Sequence, residues 1–134
     1  MTILDKNKVL NYLEEKRKAY KKRLDVCKTE NHYPNPIDYK IRIKTIEDLI
    51  IYVSKLEYID KDKFVKSIEQ KRNSYRKMRD SYESKGQESD SASCKIRIIP
   101  LERMLFHIIW GDFNEDVTRS GKDDSILKES SETP

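Results

Sequence analysis

Two cysteines and two histidines, Cys27, His32, Cys94 and His107, are the side chains of this sequence best suited to a soft metal ion. Thiolate and imidazole are the ligands zinc prefers, but they recur in close pairs such as Cys-x-x-Cys or His-Glu-x-x-His. Neither arrangement occurs here, so Cys27 and Cys94 read as small core residues. With three glycines in 134 residues there is no Gly-rich loop to cradle a phosphate. No Ser, His and Asp grouping points to nucleophilic catalysis, and the carboxylates are spread along polar faces. The expectation is a protein that is not an enzyme, with no metal, cofactor or small-molecule substrate.

The remaining chemistry is charge. Lys18, Lys21, Lys22, Arg23 and Lys28 form one basic cluster, and Arg76, Lys77 and Arg79 a second. Such clusters could neutralise phosphates. They equally suit the C-terminal half of a helix, where cations meet the negative end of the dipole. No zinc-finger spacing, RNP sequence or clear helix-turn-helix accompanies them. Aromatic residues outside the regular apolar pattern, Tyr33, Tyr58 and Trp110, are the candidate anchors for a protein partner, or else they pack hairpin ends.

These residues are positioned by a repeat. At an offset of 55, Asn7–Val53 lies over Asp62–Ile108 without a gap, and eleven positions are identical. They include Glu14/Glu69, Lys16/Lys71, Arg17/Arg72, Tyr20/Tyr75, Asp25/Asp80, Glu47/Glu102 and the run Lys40-Ile41-Arg42-Ile43 over Lys95-Ile96-Arg97-Ile98. Val9, Leu10, Leu13, Tyr20, Leu24 and Cys27 follow the i, i+3, i+4, i+7 spacing of one helix face, as do Phe64, Val65, Ile68, Tyr75, Met78 and Tyr82. A second helix follows in each copy, with Ile43, Ile46, Leu49, Ile50, Val53 and Leu56 in one and Ile98, Leu101, Leu105 and Ile108 in the other. Asn35-Pro36-Ile37-Asp38 supplies a cap, a first-turn proline and an early acid. Thr45 could instead open that helix, with Pro100 in the same register; Lys40–Ile43 and Lys95–Ile98 would then be extended. Helix throughout, kinked at Pro100, is the preferred reading.

The expected fold is therefore all-α: two tandem helix-loop-helix hairpins, 1–60 and 61–110, forming a small four-helix domain. Folding each copy about its loop sets Arg17 opposite Glu47, Arg72 opposite Glu102, and Asp80 near Lys95. These repeated charges read as internal ion pairs that fix register, with a ligand role as the alternative. Tyr20 and Tyr75 read as core-edge tyrosines, with base stacking as the sharper option. From Gly111 onward seven acidic residues face three basic ones, leaving the rest of the chain at +8. Gly111 reads as a helix stop and 111–134 as a disordered acidic tail.

No apolar run approaches the roughly 20 residues that span a bilayer, and the first residues lack a signal-peptide core, so a cytoplasmic protein with reduced thiols is expected. The richness in Lys, Ile, Asn, Asp and Tyr fits an AT-rich coding sequence such as that of a phage or plasmid. The leading expectation is a small regulatory or adaptor protein that binds another protein and self-associates in some cases. The alternative is a nucleic-acid binder using the basic faces.

Overall fold

The computed structural model describes residues 1–30 and 36–116, with side chains through Cys27 and again from Pro36. Four helices carry it: α1 (Lys6–Glu30), α2 (Pro36–Ser54), α3 (Lys61–Ser84) and α4 (Glu88–Ile109). Two short strands, β1 (Ile3–Leu4) and β2 (Ile59–Asp60), pair antiparallel, with Leu4 opposite Ile59. Helix α1 packs on α2, α3 packs on α4, and α2 packs on α4. Among the described residues no helix is long and apolar enough to cross a membrane.

Each hairpin begins with the same local device. The Asp5 carboxylate accepts from the backbone N–H of Asn7 and Lys8, and the Asp60 carboxylate accepts from those of Asp62 and Lys63. Each satisfies two of the amides that a helix start leaves without a partner. The residue before each cap, Leu4 and Ile59, is buried, and these two form the centre of the ladder. Lys61 donates its N–H to the Thr2 carbonyl at 2.8 Å, which clamps the start of the chain to the α2–α3 connection.

The helix ends are also chemically alike. After α3, Gly86 takes φ 72° and donates to Glu83 O, while Gln87 donates to Tyr82 O. After α4, Gly111 takes φ 81°, donating to Ile108 O, while Asp112 donates to His107 O. Both are Schellman closures, which need a residue tolerant of positive φ.

Lys40–Ile43 and Lys95–Ile98 lie inside α2 and α4, so the extended alternative is excluded. Thr45 is mid-helix, its hydroxyl donating back to Ile41 O at 2.9 Å, and Pro100 is buried inside α4. Helix α2 opens at Pro36, as the first-turn proline implied; its expected cap, Asn35, lies outside the described residues.

One core runs through the helices. Val9, Leu13, Tyr20 and Leu24 of α1 meet Tyr39, Ile43, Ile46, Leu49 and Val53 of α2, and Phe64 and Ile68 join Leu101, Met104, Leu105 and Ile108. Many of these positions stand 55 apart: Val9 and Phe64, Leu13 and Ile68, Ile46 and Leu101, Leu49 and Met104, Val53 and Ile108.

The boundary expected at Gly111 needs correction. Phe113 is only 3% exposed, its carbonyl accepts from the Asp5 N–H at 2.7 Å, and Asn114 bridges to Leu4. Lys8 reaches Asp116 at 2.6 Å. The chain thus continues on the body through Asp116, because one aromatic residue in a polar segment is enough to dock it. The rest of the proposed tail, 117–134, lies outside the described residues.

Candidate interaction surface

Arg17 donates to Glu14 at 2.7 Å and stands 3.7 Å from Glu47, and both carboxylates raise its pKa, Glu14 foremost. The second hairpin differs. Arg72 does not reach Glu102; its Nε contacts Asn73 Oδ1 at 3.4 Å, and it has no carboxylate partner among the described residues. Arg76, one turn further along α3, takes Glu102 at 2.6 Å. The first hairpin has Lys21 at the corresponding place, a point charge without the planar fork that matches a carboxylate. Asp80 likewise does not pair with Lys95: Asp80 accepts from Arg79 at 3.0 Å, and Lys95 bonds Glu83 at 3.0 Å.

The identical Lys-Ile-Arg-Ile runs have a structural use invisible in the sequence. Arg42 lies over the rings of Tyr20 and Tyr39, at 5.6 and 5.7 Å, and Arg97 lies over Tyr75 at 5.6 Å. Tyr20 and Tyr75 therefore serve as platforms for an internal guanidinium, so neither ring offers its face freely for base stacking.

The basic clusters divide. Lys18, Lys21, Lys22 and Lys77 are exposed. Arg23 bonds the Tyr39 hydroxyl, which raises the Arg23 pKa, while Arg76 and Arg79 hold carboxylates. Arg23, Arg76 and Arg79, three of the seven described residues of the proposed phosphate-binding set, are thus engaged within the fold. Tyr33 and His32, with the Lys28 side chain, lie outside the described residues. Tyr58 is 50% exposed beside β2. Cys27 and Cys94 are both buried, and burial pushes the Cys94 thiol up. Among the described residues no three His, Cys, Asp or Glu side chains converge as metal ligands.

Trp110, by contrast, belongs to a group. Phe106 and Ile109 in the last turn of α4 and Trp110, its C-cap, are 55%, 75% and 70% exposed, and the Phe106 and Trp110 rings lie 5.2 Å apart. They occupy the face opposite Leu101, Met104, Leu105 and Ile108. The sequence signal was the run Met104–Trp110, apolar except for His107 and too long for one face of an amphipathic helix. The i, i+3, i+4 apolar spacing marks only the inward positions, so Phe106, Ile109 and Arg103 were not among the candidates legible in the sequence.

The border of this patch is ordered. His107 Nδ1 lies 2.6 Å from Asp112 Oδ2, and its ring packs on Tyr12 and Phe113 at 4.7 and 6.1 Å. Burial pushes the Tyr12 phenol up to about 12, with Tyr20 and Asp112 adding to the rise and Arg103 opposing it. Arg103 is exposed one turn before Phe106 and makes no ion pair among the described residues. Comparison of the chain with protein-family models, with curated proteins and with solved structures returns no match.

Proposed function

We propose that this chain is a small, non-enzymatic adaptor or regulatory protein of the cytoplasm that binds another protein through the outer face of the last turns of α4. The observation that carries this reading is the adjacency of Phe106, Ile109 and Trp110 in water while the core beneath them is closed. Covering a large apolar side chain is worth about 1.5–3 kcal/mol, and contiguous apolar patches on soluble domains mark interfaces more often than single exposed residues do. Trp is also among the residues most enriched where interface energy concentrates.

We also take the two hairpins as copies of one ancestral unit. Support comes from the caps at Asp5 and Asp60, the Tyr20–Arg42 and Tyr75–Arg97 stacks, and the matched core positions, all 55 apart. On that reading Phe106 corresponds to Ile51, itself 53% exposed. Ile109 and Trp110 correspond to Ser54 and Lys55, so only the second copy carries the full patch.

The test uses three proteins: wild type, Phe106→Ser with Trp110→Ser, and Lys18, Lys21, Lys22 and Lys77 all changed to Ser. Each is used as bait in nuclease-treated extract of its host and separately in retardation of DNA and RNA over a salt series. The adaptor reading expects specific protein capture that only the aromatic variant loses. Nucleic-acid retardation that falls steeply with salt and is lost in the lysine variant would replace it with the phosphate-binding alternative.

A further inference from the structure

The class of partner follows from what borders the apolar patch, given that the patch binds protein as proposed above. Two ion pairs set the pairing of α3 with α4 on this edge: Glu83 with Lys95, and Arg76 with Glu102. Moving along α3 from Glu83 to Arg76 moves the same number of residues along α4, in the opposite sense. One turn further, Arg72 stands at the level of Phe106 and Glu69 at the level of Ile109.

Two guanidinium groups with no carboxylate partner among the described residues, Arg72 on α3 and Arg103 on α4, therefore lie near the Phe106 end of the patch. The acid one turn before Phe106, Glu102, is already engaged by Arg76, and Asp112, beyond Trp110, is held by His107. Glu69 leaves the Trp110 end without the same positive excess. Lys16 lies over the Tyr12 ring at 5.8 Å, on the α1 side.

The surface is also the outside of a complete helix. Its backbone amides and carbonyls bond within α4, so it presents no strand edge with which an extended peptide could form main-chain hydrogen bonds. A partner seated here must satisfy its own backbone, and the i, i+3, i+4 spacing of Phe106, Ile109 and Trp110 matches the side chains of a second helix. The exposed parts of these three side chains amount to less than the roughly 800 Å² per partner of a standard stable interface, which fits a short helix better than a symmetric dimer of this chain.

We propose that the α4 face of Phe106, Ile109 and Trp110 receives an amphipathic helix of a partner protein whose apolar stripe is bordered by carboxylates, which Arg72 and Arg103 hold at the Phe106 end. Arginine suits this role because its planar fork can bind a carboxylate through two parallel hydrogen bonds.

Trp110 is the only tryptophan of the chain, so its emission reports occupancy directly. The full chain is titrated with two synthetic helical peptides lacking tryptophan. They share one leucine stripe and differ only in having Glu or Lys along its borders. The Glu-bordered peptide should shift Trp110 emission to the blue and bind at least roughly ten-fold tighter than the Lys-bordered one. Arg72→Ser with Arg103→Ser should erase that preference, and Phe106→Ser should weaken both peptides. Equal binding of the two peptides, or a preference that survives the arginine substitutions, would overturn the carboxylate assignment while leaving the docking face intact. No shift with either peptide would overturn the helical occupant, and the bait comparison then decides separately whether the face binds protein. A blue shift that grows with protein concentration alone would assign the face to a second copy and overturn the proposal.

Discussion

Phe113→Ala probes how far the folded body extends. Phe113 is buried after the end of α4, with its ring 5.3 Å from Tyr12 and 6.1 Å from His107. Truncating a buried Phe typically costs about 3–5 kcal/mol, as lost transfer energy plus a residual cavity. This site lies at the edge of the core on a short segment that can partly collapse, so the lower end, about 3 kcal/mol, is expected. About 0.5–1.5 kcal/mol of that belongs to the aromatic contacts. For a domain of this size each kcal/mol moves the melting temperature by roughly 3–5 °C, so the variant should melt about 10–15 °C below wild type. Thermal unfolding followed by far-UV ellipticity and by the Trp110 emission gives the shift, and urea titration gives the energy independently. Glu115→Ala, at an exposed site on the same segment, should change stability by no more than about 0.5 kcal/mol. A cycle combining Phe113→Ala with Tyr12→Leu should show coupling of about 0.5–1.5 kcal/mol. A loss below about 1 kcal/mol for Phe113→Ala, with no coupling to Tyr12, would refute the docking of this segment.

Asp5→Ala and Asp60→Ala should each lower stability by about 1 kcal/mol in urea titration, since each leaves two helix-start amides without an acceptor; unequal losses would show that the two caps do different work. Arg97→Met and Tyr75→Leu should couple by about 0.5–1 kcal/mol in a double-mutant cycle, whereas strict additivity would mean that ring and guanidinium do not interact. The Tyr12 phenol, raised to about 12 chiefly by burial, keeps its proton in the folded state where an unfolded tyrosine ionises near 10. Its contribution is therefore complete below pH about 10 and lost as pH rises toward 12, and Tyr12→Phe should decline less steeply over that window when stability is followed by urea titration. Phe106→Ser with Trp110→Ser should leave thermal stability nearly unchanged, because both side chains are mostly exposed; a large loss would make them structural.

Local rules made much of this protein legible in its sequence. The spacing of Val9, Leu13, Tyr20 and Leu24, and of Ile43, Ile46, Leu49 and Val53, specifies helices with one apolar face, because side chains three and four apart share a side of the helix. Pro36 and Gly111 mark a helix start and stop because one fixes φ and the other tolerates positive φ. Those constraints act within a few residues, so no knowledge of neighbours is needed.

Other features were settled only when helices met. Arg72 and Arg76 both lie within a turn of Glu102's level, and which one takes the carboxylate depends on side-chain reach across the α3–α4 contact. The Leu4–Ile59 ladder joins two short segments whose sequence carries no strand pattern, and it exists because the buried residues preceding two helix caps come together. Phe113 is buried because Tyr12 and His107 form a surface for it. The run from Met104 to Trp110 contains apolar residues on more than one face of α4. Its sequence alone could not decide which would be covered. Packing against α2 and α3 buries Leu101, Met104, Leu105 and Ile108, and leaves Phe106, Ile109 and Trp110 outside, since a helix in a single-core domain of this size has neighbours on only part of its circumference.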